Sequence, residues 1–79
     1  MKKSELLVLL LDELEKRSYS PELVNHEFIT YTKGILIATI YIYSLSVTLS
    51  YSDGELLTNA TCSDLNTFKR WMNEFEDLQ

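Results

Sequence analysis

The sequence predicts an α+β domain: a small antiparallel sheet in one layer, and an N-terminal and a C-terminal amphipathic helix in the other. Three observations predict it. The run from Ile35 to Tyr51 is rich in Ile, Val, Tyr, Thr and Leu and holds no Pro, Gly or charge, a composition suited to a pleated, half-buried surface. As a single strand it would span about 56 Å, too long for a small domain, so the chain must fold back inside it. Apolar residues recur at helical spacing on either side of this region.

The first helix is expected over Ser4–Arg17, with Ser4 as N-cap and Glu5 in the first turn against the helix dipole. Leu6, Leu7, Leu10 and Leu14 form one stripe, widened by Leu9 and Leu11. Asp12–Lys16 and Glu13–Arg17 are acid-before-base pairs at i,i+4, the favourable orientation. Ser20-Pro21-Glu22 reads as a fresh helix start with Pro at its first position, a single turn ending near Asn25.

Strand material then begins at His26. Lys33-Gly34 and Asp53-Gly54 are turn signals, the latter the stronger because a type I′ turn needs positive φ at both central residues. A third turn is placed at Ser44-Leu45, near the middle of the long run. Two-residue loops at all three points would pair Tyr31 with Leu36, Ile40 with Leu49 and Tyr51 with Leu56. One face would then collect Ile29, Tyr31, Leu36, Ala38, Ile40, Ile42, Val47, Leu49, Tyr51 and Leu56, which is a core. The opposite face would collect Phe28, Thr30, Ile35, Ile37, Thr39, Tyr41, Tyr43, Ser46, Thr48, Ser50 and Asn59.

The last helix is expected over Ser63–Leu78, with Ser63 as N-cap. Leu65, Phe68, Trp71, Met72, Phe75 and Leu78 fall in one arc, with Lys69, Arg70, Glu74, Glu76 and Asp77 opposite. The expected order is αββββα, or αβββα with one strand fewer: a two-layer sandwich of a three- or four-stranded meander and two helices, formed by residues 1–79 as one domain.

Composition narrows function. The net charge of −5 comes from twelve acids against seven bases, which disfavours direct binding to a nucleic-acid backbone. Cys62 is the only cysteine, so no internal disulfide forms and a reducing, cytoplasmic setting is expected. The opening Lys2-Lys3 and LLVLLL run is too short for a secretory leader and is broken by Asp12 and Glu13. Nothing approaches a membrane span.

No catalytic constellation assembles from the remaining residues. His26 is the only histidine, and its neighbour Glu27 would face the other side of a strand. Cys62 precedes a helix N-terminus but has Asp64, not a base, beside it. One Cys and one His cannot supply a zinc set, Asp53-Gly54-Glu55 has too few oxygens for calcium, and two distant glycines make no phosphate cradle. The expectation is no enzyme, no metal and no cofactor.

Two surfaces stand out instead. Two helices can cover one sheet face, leaving Phe28, Ile35, Ile37, Tyr41 and Tyr43 on the other as a hydroxyl-studded apolar patch of the kind that binds protein. The acids Glu74, Glu76 and Asp77 crowd the end of the last helix, against its dipole. The partner is expected to be another protein, one with a basic nucleic-acid-binding surface included, or a second copy of the chain as a homodimer. A small-ligand pocket lined by Trp71, Phe68 and tyrosines is a further alternative. The whole-chain layout, an opening helix, a meander and a closing amphipathic helix in a small acidic chain, resembles phage-encoded inhibitor proteins of the anti-CRISPR type. That resemblance implies stoichiometric binding that blocks a surface of a host defence or nucleic-acid-processing complex.

Overall fold

The computed structural model describes residues 2–78. Helix α1 (Lys3–Lys16) is followed by strands β1 (Ser20–Val24), β2 (Phe28–Lys33), β3 (Leu36–Tyr41), β4 (Ser46–Tyr51) and β5 (Leu56–Thr61), and by helix α2 (Leu65–Asp77). The strands form one antiparallel sheet in sequence order. The α+β class and the two-layer arrangement are as expected, but the sheet has five strands rather than three or four.

The additional strand is β1, where a helical turn was expected. Its pairing with β2 (Ser20 opposite Thr32, Val24 opposite Phe28) makes it an edge strand. The reason Pro21 fits there follows from the ladder. Ile42 N–H donates to Glu27 O, so alternation points the main chain of Phe28, Thr30 and Thr32 toward β1 and that of Pro21 and Leu23 away from the sheet. Proline is tolerated where its missing N–H would have faced solvent. Its fixed φ suits an edge strand as well as a first helical turn, so the local signal was ambiguous.

Helix α1 closes in a Schellman motif. Tyr19 N–H donates to Leu14 O and Ser18 N–H to Glu15 O, with Ser18 at φ 71°. The accompanying apolar contact is Tyr19 with Leu14, both buried. At its start the helix uses Lys2 as N-cap without a side-chain bond, so Ser4 lies inside the helix. Helix α2 is capped by Asp64 rather than Ser63: its Oδ1 accepts the Thr67 N–H at 2.7 Å. That bond and the Thr67 hydroxyl hold the Asp64 carboxyl below its ordinary pKa.

The observed turns differ from the expected ones, and the faces mostly survive. The β2–β3 loop is Gly34-Ile35, with Gly34 at φ 60°, so Tyr31 meets Ala38, not Leu36. The β3–β4 loop runs from Ile42 to Leu45, so Ile40 meets Val47, not Leu49. Both registers slip by two residues, and an even slip leaves every side chain on its face. Ile42 becomes a half-buried turn residue rather than a strand core position. Against β5 the expected register holds from Ser46–Thr61 to Leu49–Thr58, and a bulge between Leu49 and Ser50 then shifts it by one and puts Leu56 opposite Ser50. Leu56 is thereby turned out of the expected core and is 57 % exposed.

Both helices pack on the same sheet face. Leu6, Leu10 and Leu14 of α1 and Phe68, Met72 and Phe75 of α2 join Tyr31, Leu36, Ala38, Ile40, Val47 and Leu49 in one buried cluster. Each large side chain buried there contributes about 1.5–3 kcal/mol. At the helix ends Arg17 binds Glu13 at 3.0 Å and Glu76 at 3.3 Å, tying the end of α1 to that of α2. Its guanidinium also reaches the Lys69 carbonyl at 3.5 Å.

Candidate functional site

The helices leave the opposite sheet face uncovered, and its side chains can be read from the register. Ser20, Thr32, Ile37, Ser50 and Leu56 form one cross-strand row; Glu22, Thr30, Thr39, Thr48 and Asn59 form the next. A third carries Val24, Phe28 and Tyr41 on one side, with Ser46 and Thr61 on the other. Strand alternation places these rows on the side away from the buried cluster. Glu22, at the β1 edge, is the only charged side chain among them. The middle row is a ladder of threonines, whose hydroxyls can pair across strands or bind a partner.

Five residues of the expected patch sort into two places. Phe28 and Tyr41 lie on this face as a tilted aromatic pair with ring centroids 5.2 Å apart, and Ile37 stands half-buried on the same face but beyond the threonine row. Tyr43 does not belong to a strand: it projects from the β3–β4 turn beside the same end of the sheet and is 73 % exposed. Ile35 sits in the β2–β3 turn at the far end, beside a shallow hollow with Tyr51, Ser52, Asp53 and Glu55. The two-residue slip moved both from strand positions into turns. Phe28, Tyr41 and Tyr43 therefore form one neighbourhood, and Ile37 and Ile35 lie toward the other end of the sheet.

Next to Tyr41 the face is hollowed. Tyr41, Ser46, Thr48, Asn59 and Thr61 line a depression of about 420 Å³. Its walls offer hydroxyl and amide groups of both hydrogen-bonding senses, with one aromatic ring as an apolar side. Serine hydroxyls of the rows and the Tyr41 phenol are accessible without any backbone rearrangement. Sequence reasoning had no access to this hollow, because it needs the third turn placed correctly.

The acidic cluster is divided by its partners. Glu76 is half-buried and engaged with Arg17; its other oxygen, Oε1, and the Tyr19 hydroxyl are both buried and interact with one another. Burial, and after it the Glu76 charge, push the Tyr19 pKa far above 10.0. Glu74 and Asp77 are exposed. The three acids are thus a structural anchor and two surface charges.

The chemistry-bearing residues stay apart from these surfaces. Cys62 is buried, and burial pushes its thiol pKa up, the opposite of what a thiolate nucleophile needs. His26 is exposed in the β1–β2 turn. Among the described residues no group of His, Cys, Asp and Glu is arranged to hold a metal ion, and no helix is long and apolar enough to cross a membrane. No protein-family model, no curated protein and no solved structure matches this chain.

Proposed function

We propose that the chain is a non-catalytic binding protein that docks another protein on its outer sheet face. The observation that carries this is charge depletion. A chain with twelve acids and seven bases places a single charged side chain, Glu22, on the rows of that face. Loss of charge together with aromatic enrichment is the compositional mark of an interface centre. Tyr41 and Phe28 act as the anchor, the Thr30–Thr39–Thr48 ladder beside them supplies hydrogen bonds, and Ile37 adds an apolar contact beyond the ladder. Tyr43 reaches past the sheet end and closes over the rim of the partner.

In this mode the protein works by occupying a surface, with no bond made or broken, the role that a resemblance to phage-encoded inhibitors would imply. The net charge of −5 favours a basic partner through long-range attraction.

Two variants test the assignment. Thr39→Lys puts a charge at the centre of the face, and Tyr41→Ala removes the anchor; neither touches the buried cluster. Each is expected to keep the melting transition while weakening partner binding by about 2 kcal/mol or more. Binding unchanged in both variants would remove the outer face as the docking surface.

A further inference from the structure

The two free edges of the sheet are not alike. At the β1 edge the main chain of Pro21 and Leu23 points outward, so half the outward positions lack a donor. Glu22 adds a charge there. Proline and charge are the usual devices that keep an edge from pairing. Strand β5 carries neither: Leu56–Thr61 reads LLTNAT. Cys62 N–H donates to Leu45 O at 3.0 Å, which fixes the alternation. The main chain of Ala60 and Thr58 faces β4, and that of Asn59 and Thr61 faces away with its N–H and C=O groups unused by the sheet.

Beside this edge lies a groove between β5 and α2, of about 360 Å³, lined by Leu57, Thr58, Trp71, Glu74, Phe75 and Leu78 with Leu49 at its floor. The β5 bulge turns Leu56 to the outer face and lets Leu57 join Thr58 on the helix side. Bulges often re-aim side chains at binding sites. Leu78 is 60 % exposed there, and Trp71 is half-buried.

We infer that this edge and groove bind an extended peptide segment of another protein, which adds to the sheet as a sixth strand next to β5. The segment carries an apolar side chain that enters the groove against Trp71 and Leu57, flanked by Lys or Arg. The basic residue is assigned by charge: Glu74 stands at the groove, Glu55 precedes β5, and Asp64 follows it. The same acids argue against a second copy as occupant. Antiparallel self-pairing through β5 would bring the Glu55 end of one copy against the Asp64 end of the other, acid against acid. Main-chain bonds would give affinity and the groove specificity, the general mode of strand addition. The groove lies on the helix side of the sheet and Tyr41 on the outer side, so Glu74→Lys and Tyr41→Ala let either assignment fail alone.

The experiment is a selection of displayed random peptides on the full chain, followed by titration of the enriched peptides against three forms of the protein. Enrichment of sequences alternating apolar residues with Lys or Arg is expected. Asn59→Pro removes an outward donor without breaking a bond to β4, and Glu74→Lys reverses the groove charge. Each is expected to weaken the enriched peptides about tenfold, while Tyr41→Ala leaves them unchanged. Glu74→Lys keeps the test decisive if Asn59→Pro alters the melting transition. No enrichment, or enriched peptides that bind the Glu74→Lys chain as tightly as the parent, would overturn the site. A pure protein that dimerises in a β5-dependent way, and becomes monomeric on Asn59→Pro, would assign the edge to a second copy and overturn the peptide.

Discussion

Leu45 is the residue at which local and tertiary preferences conflict most. It adopts φ 56°, in the left-handed region, at a cost of about 1–2 kcal/mol for a residue with a Cβ. Yet its side chain is 2 % exposed, its N–H donates to Tyr41 O and its carbonyl accepts from Cys62. Burial and two hydrogen bonds outweigh the strain. Leu45→Ala keeps the strain and loses the burial, so it is expected to cost about 2–5 kcal/mol. Leu45→Gly loses the same burial but relaxes the backbone. It is therefore expected to be less damaging than Leu45→Ala, which urea unfolding of the two variants would check.

Tyr19 offers a second test at this scale. Burial and then Glu76 raise its hydroxyl pKa, and burial and then Glu15 raise that of Tyr31. A group whose folded pKa lies above its unfolded value holds its proton more tightly when folded. The stability it contributes is complete below the unfolded value of 10.0 and is lost as pH rises beyond it. Unfolding midpoints are expected to fall as pH climbs past that value. Tyr19→Phe should flatten the fall.

At the scale of elements, the two edge strands show how one residue decides what an edge can do. By its local sequence Pro21 reads as a helix start, because Ser-Pro-Glu fits the first turn of a helix. Nothing local distinguishes that from an edge strand. The deciding fact is that Tyr31 and Ile29 of β2 lie opposite Pro21 and Leu23, a contact that only the folded sheet supplies. Pro21→Val restores an outward N–H at the β1 edge. It is expected to leave the melting transition nearly unchanged and to raise concentration-dependent association, read by light scattering. The β5 bulge is the corresponding event at the other edge: one additional residue relocates Leu56 and shapes the groove.

For the molecule as a whole, the decisive feature is that both helices lie on one side. Helix α1 leads into the β1 edge and α2 follows the β5 edge, and the Arg17–Glu76 pair fastens their ends together. A single helix on each face would have buried the threonine ladder and left no docking surface. With both on one face, the solution mass becomes informative. A 9.2 kDa monomer across a concentration series is the expected outcome, with the outer face left free for a foreign protein. A stable dimer dispersed by Thr39→Lys would assign that face to self-association instead.

Composition, turn signals and periodicity determined the two helices, the strand identities of β2 to β4, and most of their buried side chains. They did so because helical and strand spacings are local properties, and because an even register slip leaves faces intact. Phe28, Ile37 and Tyr41 were legible on the outer face for the same reason. Tertiary structure decided what local rules leave degenerate: Pro21 in a strand rather than a helix, Ile35 and Tyr43 in turns, Leu56 outward, and Glu76 paired to Arg17. Each depends on a hydrogen-bond partner or a contact distant in sequence. The groove between β5 and α2 belongs there too, since its walls come from two elements brought together only by packing on a shared core.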